Sequence, residues 1–189
     1  MWKQTLPETP WQNLEVYPIE KLEQDIEVSR QKQQEARVRR TATLKNLSAI
    51  YEHTLRFMLG NDADGKISLQ ARGLQPVPGK AIAVNGDAMS FMGRVIAFDL
   101  ACLASSLSGI GQLPGIWIHD SPNTVELQPA LYAKLFRFAV ELETLCQQGK
   151  PSFQYFVSTA GSVPSDIAPF VVLELDRREA EKTLLKRYF

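Results

Sequence analysis

The stretch Gly115-Ile116-Trp117-Ile118-His119-Asp120-Ser121-Pro122-Asn123, GIWIHDSPN, decides how the chain is read. A short apolar run stops at a carboxylate, and Ser121 and Pro122 follow at once. A turn after a strand would explain Asp-Ser-Pro by itself, since these residues favour turns. An acid at the carboxyl end of a parallel strand, however, sits where open α/β sheets bind ligands. The neighbouring sequence bears on the choice.

Upstream of it, Ala88 to Leu107 reads AMSFMGRVIAFDLACLASSL, strongly apolar and free of proline, with Arg94 and Asp99 its sparse charges. That pattern predicts a buried helix, with Asp87 as its N-cap. Downstream, a second helix is expected from about Gln128 to Gln147, with Pro129 in its first turn. Phe153 to Thr159, FQYFVST, reads as a second strand ending in a polar turn. Phe170 to Leu175, FVVLEL, reads as a third, followed by a charged C-terminal helix. Helices alternating with short apolar strands predict an α/β fold whose mainly parallel sheet is flanked by helices.

Everything before Gly86 is a different kind of sequence. Residues 1–18 contain Pro7, Pro10 and Pro18 and read as an irregular lead-in. Residues 19–59 contain neither proline nor glycine and are rich in helix formers. As one helix they would run ~60 Å. Ile19, Leu22 and Ile26 at one end and Leu47, Ile50 and Phe57 at the other mark an apolar seam, which Ser29, Gln33 and Arg40 interrupt. The seam predicts a coiled-coil-like arm whose distal half packs on another helix, although a surface helix with a solvated middle fits the same residues. Gly60 to Gly65 ends it with turn residues, and the ligand series of a calcium loop is missing. Lys66–Arg72 and Lys80–Val84 read as a small hairpin or meander, and residues 60–189 as one α/β lobe.

Composition narrows the functional classes. At 189 residues, 44% hydrophobic and 22% charged, the chain has the material for a core. Lys plus Arg equals Asp plus Glu at 21 each, which argues against a dedicated nucleic-acid-coating protein. Cys102 and Cys146 lie in apolar helical patterns and read as reduced core thiols. His53 and His119 are too far apart for zinc-ligand spacing. No apolar run approaches the ~18 residues of a membrane span. A cytoplasmic protein is expected.

The order of long helix, small β element, serine-bearing segment, buried helix, strand ending in Asp, helix, and strand ending in Ser-Thr resembles a known family. It is similar to the C-terminal half of an ABC-type ATPase head of the SMC and double-strand-break-repair class, over residues 19–189. On that resemblance GIWIHD is the Walker B strand, and Asp120 is the catalytic carboxylate that holds magnesium bound to nucleotide phosphates. The family places a glutamate next, where this chain has Ser121, a poor base. SPNTVE would be the D-loop, with Asn123 or Glu126 contacting a second subunit. GDAMSFMGR falls at the signature segment: Ser90 keeps its serine, bulky residues replace the usual glycines, and Asn85 to Asp87 offers a second register. FVSTAGS resembles the strand before the switch, with Ser158 and Thr159 as hydroxyl donors and Ala160 in place of the usual histidine. A capped core helix and a polar strand-end turn account for the last two segments equally well. His119, one residue from Asp120, faces the other side of the strand and reads as packing.

The resemblance implies ATP and Mg as cofactors, a homodimer, and DNA as an admissible partner. The chain contains no Gly-x-x-x-x-Gly-Lys-Ser/Thr loop, so the main nucleotide site would need a Walker A-bearing N-terminal lobe, on the same or a separate polypeptide. ATP turnover is expected only together with that lobe. Two other readings stand beside it. One is a non-catalytic α/β interaction module that pairs through its long helix. The other is an unrelated hydrolase or transferase using Asp120 and Ser121, which the lack of a nucleophile elbow disfavours.

Overall fold

A computed structural model of the chain describes residues 18–80, 82, 90–120, 129–146, 153–160 and 162–176. The chain divides into two compact units, Met1–Ala42 and Thr43–Phe189. The predicted long helix is present as α1, Ile19–Leu59, and Gly60 closes it with a positive φ of 109°. In the first unit residues 18–42 are exposed at every position. Local pairs support this half of the helix, among them Glu27–Arg30 and Glu35–Arg39, each 3.9 Å apart. Such pairs contribute only a few tenths of a kcal/mol each.

Within the second unit the same helix turns amphipathic. Leu47, Tyr51, Leu55 and Met58 fall at helical spacing and are buried. Strands β1 (Gly65–Gln70) and β2 (Gly73–Pro78) form the expected hairpin, antiparallel with Ile67 opposite Pro76. Its second strand lies earlier than the predicted Lys80–Val84. Proline lacks a ladder donor and commonly ends a strand, yet Pro76 and Pro78 are two residues apart and so turn their missing N–H toward the same open edge.

The next helical stretch is described from Ser90 onward and carries a π-turn, Met92–Ile96, before α2, Ala97–Leu107. The π-turn sits over α1, where the Tyr51 hydroxyl donates to the Gly93 carbonyl at 2.8 Å. Ala97 and Ala101 pack on Leu47, Tyr51 and Leu55; Leu100, Leu103 and Leu107 pack on Leu135, Phe138 and Leu142. Those last residues belong to α3, Pro129–Cys146, which is described from the expected proline onward. Being covered on two sides explains why α2 is apolar almost all round.

Strands β3 (Ile116–Asp120) and β4 (Gln154–Ser158) pair in parallel, with Ile116 opposite Gln154 and Asp120 opposite Ser158. The α/β class is therefore present, but among the described residues the parallel sheet has only these two strands. The third strand expected over Phe170–Leu175 is absent. Ala168–Phe170 is a 3-10 turn, and Val171–Leu175 is exposed, Val172 to 92%. β-prone side chains favour an extended backbone, but a strand needs a ladder partner, and this run pairs with no described strand. Just before it, Arg137 on α3 holds Asp166 through two hydrogen bonds, at 2.8 and 3.4 Å, and Ile167 is buried. The predicted lead-in at residues 1–18, apart from Pro18, the Asp87 cap and the C-terminal helix lie outside the described residues.

Candidate functional site

The parallel pairing of β3 and β4 brings two polar residues to one edge. Asp120 and Ser158 end their strands at the same register position, and the Ser158 hydroxyl donates to Asp120 Oδ1. Both side chains are exposed, and Thr159 and Ala160 follow directly in the chain. Ser90 lies half-buried in the helical stretch leading to α2, on a different element from the strand ends. Ser121, Asn123 and Glu126 lie outside the described residues.

The two faces of the strand pair differ. One carries Ile116, Ile118 and Asp120 of β3 with Gln154, Phe156 and Ser158 of β4, all exposed. The other carries Trp117, His119, Tyr155 and Val157, buried or half-buried. His119 is 9% exposed, as its predicted packing role required. Its ring is nevertheless engaged at both nitrogens, with Tyr155 Oη 2.6 Å from Nδ1 and Asp99 Oδ2 3.0 Å from Nε2. The Tyr155 ring also meets the imidazole edge-on at a centroid distance of 5.4 Å.

The chemistry of the three groups sets the proton positions. With Asp99 ionised and the imidazole neutral, Nε2 carries the ring proton and Nδ1 presents its lone pair to the Tyr155 hydroxyl. Burial, followed by the nearby Asp99 charge, holds the Tyr155 phenol well above its ordinary range. The same two causes push the Cys102 thiol, one turn along α2 from Asp99, up to about 11. The packing role of His119 is legible in the sequence, and its partners are not. The available signal was Asp99 itself, a carboxylate inside an apolar helix, which needs a polar partner wherever that helix is buried.

Among the described residues, no group of three or more His, Cys, Asp and Glu could hold a metal ion by itself. An exposed carboxylate next to a hydroxyl suits magnesium, which keeps most of its water shell and borrows phosphate oxygens. A pocket of about 400 Å³, lined by Leu103, Leu107 and the Gly109–Gly115 loop, lies at the amino end of β3, opposite the Asp120 end. No family model, no curated protein and no solved structure matches the chain.

Proposed function

We propose that the chain is the C-terminal lobe of an SMC-like ABC ATPase head, contributing Walker B, signature and D-loop elements to a nucleotide-dependent dimer. One observation carries the reading: Asp120 and Ser158 share a register position at the carboxyl ends of adjacent parallel strands, exposed together, with Thr159 next in the chain. That edge is where α/β sheets accept phosphate ligands. In the assembled site Asp120 would hold magnesium through its water shell, and Ser158 and Thr159 would donate to phosphate oxygens. Ser90, in the helical stretch leading to α2, would meet the phosphates held by the opposite subunit. Ser121 offers no base at neutral pH and Ala160 no imidazole, so hydrolysis depends on groups from the Walker A-bearing lobe. ATP and magnesium bind only when that lobe is present.

The bare outer face of β3 and β4 also supports a missing lobe, because parallel strands normally have both faces covered. The alternative, an interaction module pairing through α1, draws on the exposed Ile19, Leu22, Ile26 and Val38. The two diverge in partner chemistry. The tagged chain is recovered from its own cells with magnesium and a non-hydrolysable ATP analogue, and bound polypeptides are identified by mass spectrometry. A phosphate-loop-bearing segment, joined covalently or not, is expected. Recovery with helical partners that carry no such loop would favour the alternative.

A further inference from the structure

The outer face of the strand pair does not determine its own register. Its residues repeat with period two: Ile116, Ile118 and Asp120 against Gln154, Phe156 and Ser158. Sliding one strand by two residues keeps every side chain on its face, so apolar patterning opposes such a slip only weakly. An isolated pair of strands also has little stability of its own. Yet a two-residue slip would carry Asp120 away from Ser158 and dismantle the candidate site.

The inner face supplies what the outer face lacks. Asp99 of α2, His119 of β3 and Tyr155 of β4 form a hydrogen-bonded chain, which with a neutral imidazole is directed: Tyr155 O–H donates to Nδ1, and Nε2–H donates to the Asp99 carboxylate. Each link joins a different pair of elements. A two-residue slip breaks the link between His119 and Tyr155, and a rotation of α2 breaks the link to Asp99. The chain also costs desolvation that a leucine or phenylalanine in the same space would avoid. A group of residues kept at that cost, with satisfied hydrogen bonds at each step, defines geometry more than it adds stability.

We propose that Asp99, His119 and Tyr155 are positioning residues, which fix the strand-end pair Asp120 and Ser158 in register and tie it to α2. His119 does this from the position directly before Asp120, with its side chain on the opposite face. The functional meaning of that register rests on the proposed ATPase-head reading, but the positioning itself does not depend on nucleotide.

The test is residue-resolved NMR on the full-length chain, free of nucleotide. The spectrum contains two imidazoles, and a His53→Gln variant assigns the exposed one. In the wild-type chain, long-range proton–nitrogen correlations should show neutral His119 protonated at Nε2 alone. In Tyr155→Phe, the Nδ1 resonance should shift, and amide exchange at Asp120, Ser158 and Thr159 should accelerate roughly tenfold relative to α2. His119→Asn keeps an acceptor near the Nδ1 position and should retain more strand-end protection than His119→Gln. A wild-type imidazole protonated at Nδ1 would overturn the proposal, even if every variant failed to fold. So would uniform acceleration across α2 and the strands, which marks a purely structural role. These readouts are independent of ATP, so loss of the ATPase reading would leave them standing.

Discussion

Ser158 donates its hydroxyl to the Asp120 carboxylate from the matching register position of the neighbouring parallel strand. The two residues are 38 apart in sequence and come together only through the crossover containing α3. On the reverse face His119, bonded to Asp99 and Tyr155, joins the same two strands to α2. An exposed polar edge is thus set on an inner scaffold that is itself hydrogen-bonded.

The isolated chain should release no phosphate from ATP above background, because it carries no phosphate loop and has Ser121 and Ala160 where base and switch residue are expected. A coupled phosphate assay on pure protein checks this. Turnover that disappears with Asp120→Asn in the same preparation would contradict it.

One residue type in one helix should give two different outcomes. Leu47 is 5% exposed and Leu22 is 51% exposed. Leu47→Ala should destabilise by about 2–5 kcal/mol, and Leu22→Ala should stay within roughly 0.5 kcal/mol for the dilute chain. Urea denaturation of both variants measures the contrast. Similar losses at both positions would show that the distal stripe is already covered in solution.

Tyr132 is buried, its ring packs edge-on against Phe136 at 5.0 Å, and its hydroxyl has no hydrogen-bond partner among the described residues. Tyr132→Phe keeps the ring contact and removes the unsatisfied group. The variant should be as stable as wild type or gain up to about 1 kcal/mol. A loss above 1 kcal/mol by chemical denaturation would reveal a partner for that hydroxyl.

Stability should fall on the alkaline side. Cys102 is raised from 9.0 to about 11 by burial and by Asp99, while burial also raises Tyr51 and Tyr155 above 10.0. A folded-state pKa above the unfolded one leaves stability intact below the unfolded value and removes it as pH rises beyond. Loss should therefore begin near pH 9 with Cys102, on the order of 2 kcal/mol by pH 11. The two tyrosines add to it above pH 10. Urea midpoints across this range check the trend, and Cys102→Ala should remove its earliest part.

The sequence and the structure agree most closely where one periodicity or one punctuating residue dominates. The proline- and glycine-free run of α1, Pro129 at the start of α3 and the acid ending β3 were all legible. Phe170–Leu175 was misread because composition reports willingness to extend, whereas pairing depends on a neighbour that composition does not name. The β2 boundary was misread because proline breaks a central strand but is tolerated at an open edge. Right-handed crossover geometry anticipates neighbouring parallel strand ends with Asp120 beside Thr159, whereas the register puts Ser158 opposite Asp120 and Thr159 one residue beyond. Asp99 signals that it needs a polar partner, but its meeting with His119 and Tyr155 is not legible, since it joins three residues with no shared spacing.

The central claim is tested most directly by magnesium-dependent ATP turnover of the assembly recovered with this chain, wild type against Asp120→Asn. The account predicts a phosphate-loop-bearing partner segment and a fall in turnover of roughly a hundredfold or more in the variant. Turnover unchanged by Asp120→Asn would contradict it.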